Sequence, residues 1–179
     1  MTEPNALNNQ PENLNLFEGT RFKMVFTRLS TVAFFTQRVD IPSVSLGEAI
    51  FPTPFKDISI PGDKLIYDKF NLSFVVDEDL QNYIALYGWI QGLGFPENYQ
   101  QYKTLRETRV DLRPRKGHLY SDATLHLLTN NYNPNIQILF KNMFPISLSP
   151  ITLDSTEMTN ESKQLDSVFA YERYDIEVL

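Results

Sequence analysis

The stretch from 58 to 96 constrains the fold more than any other part of the sequence. It reads ISIPGDKLIYDKFNLSFVVDEDLQNYIALYGWIQGLGFP, in which a Pro-Gly-Asp turn precedes an alternating apolar run from 70 to 76 and then one helical pattern. Alternation with a period of two predicts a half-buried strand, and apolar residues three and four positions apart predict an amphipathic helix. We therefore expect one strand followed by one helix, with the remaining chain supplying sheet for that helix to cover.

The helix is predicted over about 79–93. Asp77, Glu78 and Asp79 lie at its start, where the helix dipole and free amide groups favour carboxylates. Gly92 and Gly94 are placed to cap its end, and Pro96 prevents its continuation. A helix that covers one core needs a single apolar stripe. This one carries two, so we predict that it is covered on more than one side. The first stripe consists of Leu80, Tyr83, Ile84, Tyr87 and Ile90, and the second of Leu86, Trp89 and Leu93.

The rest of the chain is dominated by strand patterns. Residues 22–29 and 34–41 predict a first antiparallel hairpin, and 122–129 and 136–141 flank an Asn- and Pro-rich turn. Residues 144–153 predict an edge strand and 168–178 a long terminal strand. We expect one mainly β domain over 17–179, preceded by a flexible, Asn-rich arm over 1–16.

Residues 43–66 combine prolines and glycines with scattered apolar residues. Proline is confined to edges, turns and strand starts, so this stretch cannot be a central strand and is expected to be a long extended loop or an outlying hairpin. A loop this long with this much apolar surface is usually functional. We predict that its apolar residues form an assembly interface: Val44, Leu46, Ile50, Phe51, Phe55, Ile58 and Ile60.

The connection over 97–121 is polar and basic. It is interpreted as a solvated loop, with a docking surface for an acidic neighbour as the alternative. The candidate docking residues are Arg106, Arg109, Arg113, Arg115 and Lys116.

Composition and motif content argue against several classes of function. The chain has no cysteine, and its two histidines, His118 and His126, lie outside any metal-binding spacing, so no metal site is predicted. No serine-nucleophile or glycine-rich phosphate motif is present, so neither a cofactor nor an enzymatic activity is expected. No apolar run reaches the roughly 20 residues of a membrane span, and no targeting pattern opens the chain, which predicts a soluble protein.

The order of these elements resembles the tail-tube proteins of contractile-tailed bacteriophages, a fold shared with the tube proteins of type VI secretion. The resemblance rests on QRVDIPSV, ISIPGDKLIYD, FNLSFVVDEDL, NYIALYGWIQGL and the terminal FAYERYDIEV, and it covers roughly 17–179. It implies a rolled, antiparallel β-sandwich or barrel with one flanking helix.

The resemblance also implies a function. Six copies would close into a ring whose sheets join in one inner barrel, and rings would stack into a tube that serves as a conduit for DNA ejection. Partners would be other copies, neighbouring rings and sheath or baseplate proteins. The location would be the virion tail, assembled in the host cytoplasm. The net charge of −6 agrees with a lumen that DNA crosses without binding.

Two alternatives stay open at the level of sequence. The polar N-terminal extension and the 97–121 connection also fit a specialised ring, such as a baseplate tube initiator or a tail terminator. An open barrel that stacks single-stranded nucleic acid on Tyr99, Tyr102 and Tyr120 beside the basic residues of 106–115 is a second alternative, against which the overall acidity weighs.

Overall fold

The computed structural model describes residues 16–94, 96–107, 119–156 and 162–179, and these residues form a mainly β domain, as the sequence predicts. The strands and helices follow one another in this order: β1 (Phe22–Phe26), α1 (Ser30–Phe34), β2 (Thr36–Asp40), β3 (Val44–Phe51), β4 (Ile58–Tyr67), β5 (Phe70–Val75), α2 (Gln81–Gly94), α3 (Tyr99–Glu107), β6 (Ser121–Leu128), β7 (Pro134–Leu148), β8 (Gln164–Ala170) and β9 (Arg173–Val178). The predicted arm lies outside the described residues except for Leu16.

Strand β7 joins two antiparallel sheets. Its first part pairs with β6 and β9, and β6 pairs in turn with β1. Its last part pairs with β8, which is followed in the sheet by β5 and β2. The chain therefore rolls from one sheet into the other along β7, which is the rolled antiparallel arrangement that the resemblance predicts.

The predicted hairpin between the first two strands is wrong. Strands β1 and β2 lie at opposite ends of the strand order, where β1 pairs with β6 and β2 with β5. The short helix α1 separates them, and its Val32 is fully buried. The sequence pattern marks both segments as strands, but it carries no information about their partners, which for β1 are about a hundred residues away and for β2 more than thirty.

Two predicted strand boundaries at the C-terminal end are also wrong. Residues 136–141 and 144–153, predicted as separate strands, belong mostly to the single 15-residue strand β7. Its Pro145 is tolerated because the register shifts between Pro145 and Ser147. Conversely, the predicted strand 168–178 is divided into β8 and β9 at Tyr171 and Glu172. Because of this break, β8 pairs with the last part of β7 and β9 pairs with its first part.

Aromatic side chains from both sheets fill the core. The rings of Phe70 and Phe140 have centroids 4.7 Å apart, and those of Phe26 and Phe169 are 5.6 Å apart. Helix α2 closes this core with Trp89, whose ring is 6.5 Å from that of Phe169 and whose Nε1 donates a hydrogen bond to the Leu119 carbonyl at 3.1 Å. The strand–helix unit predicted from 70 to 93 therefore supplies much of the core of the domain.

Helix α2 begins two residues later than predicted. Leu80 has a positive φ of 55°, which ends the turn from Asp77 and delays the helix to Gln81. The carboxylate of Asp77 accepts hydrogen bonds from the backbone N–H groups of Gln81 and Asn82, both at 3.1 Å. Asp77 therefore caps the helix as expected. Gly94 is its last residue, whereas Gly92 is buried within it.

The first part of the polar connection is a helix and not the predicted loop. Asn98 starts α3, because its side-chain oxygen accepts a hydrogen bond from the Gln100 N–H at 2.9 Å. Helix α3 packs against α2, and the rings of Tyr99 and Tyr102 lie 5.4 Å apart on it. Asn98 followed by residues that favour helices is a sequence signal for the start of a helix, although the segment is polar throughout.

Candidate assembly interface

Strands β3 and β4 form an antiparallel hairpin that is separate from the main sheets. Of the two forms that the sequence allows for 43–66, the structure has the outlying hairpin. Within the described part of the chain, β3 and β4 pack extensively only against each other. The exposed apolar side chains of this arm are therefore not used to build the core of the domain.

All seven residues predicted for the loop interface are exposed. Phe55, at the tip between the strands, is 99% exposed, and the others are between 44% and 62% exposed. Leu65 and Ile66 on β4 are exposed to a similar extent and were missed by the sequence reading, although their place beside Tyr67 continues the same apolar pattern. That the seven predicted residues bind a partner stays a prediction, and the structure adds Leu65 and Ile66 to the exposed apolar set. Together these nine residues are Val44, Leu46, Ile50, Phe51, Phe55, Ile58, Ile60, Leu65 and Ile66.

The register of the hairpin groups these side chains into pairs. Phe51 lies opposite Ile58, and near the base Leu46 lies opposite Leu65. Residues directly opposite in an antiparallel pair point to the same face, so each pair makes one continuous apolar patch. Both patches are open to solvent, and monomeric proteins seldom leave such surface uncovered.

A bulge divides the hairpin between these two patches. The register passes from Leu46 opposite Leu65 to Glu48 opposite Pro61, so β4 holds extra residues at this point. The predicted Pro-Gly-Asp turn is therefore wrong, because Pro61 and Gly62 lie within β4. A Cβ atom on Gly62 would collide with the backbone carbonyl of Gly47, whose carbon would be only 2.8 Å away. Glycine is required here by the close approach of the two strands.

The two predicted stripes of α2 have different surroundings. Leu86 and Trp89 are buried in the core, and Leu93 packs against it. Leu80, Ile84 and Tyr87 on the other stripe are exposed, and Ile90 is half-buried. The ring of Tyr87 stacks on that of Tyr83, with centroids 6.3 Å apart and an angle of 7° between the planes. One stripe therefore belongs to the core and the other faces solvent in the single chain.

Strand β9 presents a further apolar surface that the sequence reading missed. The register places Ile176 opposite Ile138, in line with Leu125 and Met24 across the sheet. The last three of these residues are buried, but Ile176 and Val178 on β9 are 61% and 78% exposed. The core-facing side of this sheet thus extends beyond the cover that the described chain provides.

The basic docking residues fall largely outside the described part of the chain. Arg106 lies in α3, and Arg109, Arg113, Arg115 and Lys116 lie in the range 108–118, which the structure does not describe. The aromatic group proposed for nucleic acid is divided, because Tyr120 packs on Phe144 with centroids 5.7 Å apart whereas Tyr99 and Tyr102 belong to α3.

Metal-binding clusters and membrane-spanning helices are both absent from the described residues. No group of three or more His, Asp or Glu side chains in these residues could hold a metal ion. His118 lies outside them, and His126 is a half-buried residue of β6 opposite Lys23 and Gln137. Within the same ranges, none of the helices has the length and apolar character needed to span a membrane.

Comparisons with known proteins identify the fold. No protein-family model matches the sequence, and no curated protein matches it in sequence. Among solved structures, the tube-terminating cap of the anti-feeding prophage matches with a TM-score of 0.58 at 13% identity, covering 97% of this chain and 99% of that chain. Its six-fold symmetrised baseplate matches with a TM-score of 0.57 at 11% identity, covering 91% and 96%.

A third match comes from another machine, the sheath–tube complex of the PVC extracellular contractile injection system in its extended state. The TM-score is 0.54 at 14% identity, and the alignment covers 92% of this chain and 93% of that chain. These likenesses extend over nearly the whole of each chain. They show that this chain has the tail-tube-like fold found in tubes, caps and baseplates of contractile injection systems.

Proposed function

We propose that the chain is a structural subunit of a tail tube, in which six copies close into a ring and rings stack on one another. The observation that carries this proposal is the β3–β4 hairpin, whose nine apolar residues are exposed while the aromatic core of the fold lies elsewhere. The tail-tube-like fold supports it, since matching structures come from machines that are built of tubes, caps and baseplates.

Ring closure is supported by strand β9. In the described chain it pairs only with β7, so its other side has backbone groups without strand partners. Such an edge invites pairing with another chain, and a neighbouring subunit placed there would also cover Ile176 and Val178. A closed ring of identical subunits satisfies every such edge at once.

Stacking of rings is supported by the reach of the hairpin. Strand β3 has eight residues, and a rise of about 3.3 Å per residue makes an arm of roughly 26 Å. The arm ends at the fully exposed Phe55, and its two apolar patches lie along its length. We propose that this arm binds the adjacent ring or subunit, and that the solvent-facing stripe of α2 binds a neighbour in the same assembly.

The subunit could occupy one of three positions along the tail: the repeating tube, the baseplate initiator ring or the terminator ring. We favour the repeating tube subunit, with a lumen through which DNA passes without specific binding, in the tail of a virion assembled in the host cytoplasm. A baseplate initiator or a tail terminator ring is the alternative, and both a baseplate and a cap are among the matching structures. The net charge of −6 fits a lumen that repels phosphate.

The decisive experiment is native mass spectrometry with negative-stain microscopy of the purified chain. We expect hexameric rings or tubes, and we expect Phe51→Asp and Ile58→Asp to weaken stacking without unfolding the monomer, because both residues are exposed. Ser59→Asp on β4 is the matched control, since it also adds one negative charge at an exposed position of the hairpin but removes no apolar side chain. A chain that stays monomeric at high concentration, with no rings induced by partner proteins, would contradict the proposal.

A further inference from the structure

The β3–β4 hairpin leaves the body of the subunit at one corner. Its two ends come together there, where the Asp68 N–H donates a hydrogen bond to the Ser43 carbonyl at 3.1 Å and the Ser43 hydroxyl donates to the Asp68 carboxylate. A two-stranded hairpin is marginally stable by itself in water. Its direction relative to the body therefore depends on what holds this base.

Two tyrosines bind the two ends of the hairpin: Tyr171, which lies between β8 and β9, and Tyr174, which lies on β9. The Tyr171 hydroxyl donates a hydrogen bond to the Asp68 carbonyl at 2.8 Å, just after β4. The Tyr174 hydroxyl donates to the Pro42 carbonyl at 3.4 Å, just before β3. Each end of the arm is thus attached to the body by a separate side chain.

The rings of the same tyrosines are fixed in the core. Both pack on the fully buried Phe140, with centroid distances of 5.3 Å for Tyr171 and 5.7 Å for Tyr174. From the hairpin side, Tyr67 packs on the two rings at 6.1 and 5.6 Å. The aromatic core therefore continues without interruption into the base of the arm.

The chemistry of Tyr171 suits a permanent donor. Burial, followed by the nearby Tyr174, Asp68 and Tyr67, raises the pKa of Tyr171 to about 12. Its hydroxyl keeps its proton, and hence its hydrogen bond to Asp68, over the whole neutral range.

We infer that Tyr171 and Tyr174 are positioning residues that fix the direction of the β3–β4 hairpin relative to the subunit body. The importance of a fixed direction rests on the proposed function, because an arm already held in its bound orientation loses less conformational entropy on binding the next ring. Since Tyr174 belongs to β9, the same contact links the direction of the arm to the edge strand proposed to close the ring.

The inference is tested by measuring the position of the hairpin tip in single chains. The sequence has no cysteine, so Lys23→Cys on β1 and Lys56→Cys at the tip can be spin-labelled selectively. The labelled protein is diluted into an excess of unlabelled protein, so that pulsed electron paramagnetic resonance reports only the distance between the two labels of one chain. We expect a narrow distance distribution that broadens roughly two-fold in the Tyr171→Phe and Tyr174→Phe double variant, because the base of the arm loses both attachments.

Phenylalanine keeps the rings in the core and removes only the hydroxyl groups, and Tyr132→Phe at an exposed position is the matched control that should leave the distribution unchanged. Both single variants are measured as well, so that the question is decided even if the double variant does not fold. Distributions that stay as narrow in all folded variants as in the parent chain would overturn the inference. The measurement concerns one chain, so it can fail while rings form, or succeed while rings do not.

Discussion

Strand β5 and the β3–β4 hairpin are adjacent in sequence and comparably apolar, but their side chains have opposite surroundings. In β5, Phe70, Leu72 and Phe74 are buried between the sheets and α2, with at most 1% of their surface exposed. In the hairpin, every large aliphatic or phenylalanine side chain is at least 44% exposed. Two residues, Asp68 and Lys69, separate the strand that builds the subunit from the arm that extends from it.

The difference means that apolar side chains of the two regions contribute very differently to the stability of a single chain. Burial of apolar surface in β5 contributes to the folding of a single subunit, at about 25 cal/mol per Å² removed from water. The hairpin side chains remain in water in the single chain and would contribute such energy only if a partner covered them. Substitutions of the same kind in the two regions should therefore have very different effects on a monomer.

The largest effect is expected from Phe70→Ala compared with Phe51→Ala. Phe70 is fully buried and packs on Phe140 and Phe169, so its removal should lower the free energy of unfolding by about 3–5 kcal/mol. Phe51 is 59% exposed, and its replacement should change that energy by less than about 0.5 kcal/mol. Urea unfolding of dilute monomer, followed by circular dichroism, measures both. Equal losses would mean that the hairpin is part of the core.

The distinction between core and arm was only partly predictable from the sequence. Alternation identifies β5 and β6 because one face of each is buried, and the 3.6-residue period identifies α2 because Leu86 and Trp89 face the core. Proline content correctly excluded the hairpin from the main sheets, since Pro61 lies only at a bulge of an outlying strand. Each of these features depends on residues that are close together in the sequence, so the local sequence pattern predicts it.

The remaining features depend on contacts between distant residues. Phe22 and Leu127 are partners across more than a hundred positions, and no local pattern could pair β1 with β6 instead of β2. The exposure of Ile176 follows from where the sheet outgrows its cover, which only the assembled topology shows. The sequence pattern around Tyr171 and Tyr174 predicts a strand, but it does not predict that their hydroxyl groups reach Asp68 and Pro42 at the base of the arm, more than a hundred positions away.

An intermediate effect, confined to the arm, is expected from Gly62→Ala. The added methyl group would meet the Gly47 carbonyl in the backbone of β3, so the two strands must separate at the bulge. We expect amide hydrogens of β4 to exchange roughly ten times faster while those of β5 are unchanged. Gly88→Ala in α2, where nothing lies within 4 Å of the new methyl, is the matched control. Faster exchange in both β4 and β5 would show that arm and body unfold together.

The smallest effect is expected at the junction of the two regions, from the ionisation of Tyr171. The pKa of its hydroxyl is raised from 10.0 to about 12 by burial, so between these values the unfolded chain releases a proton that the folded chain retains. The stability that the neutral hydroxyl provides is complete below pH 10 and is lost as the pH rises toward 12. In Tyr171→Phe this part of the pH dependence should vanish, whereas Tyr132→Phe should keep it. Urea midpoints at intervals from pH 9 to 12 provide the test, and parallel profiles for the parent chain and Tyr171→Phe would show that folding does not bury this hydroxyl at the base of the arm.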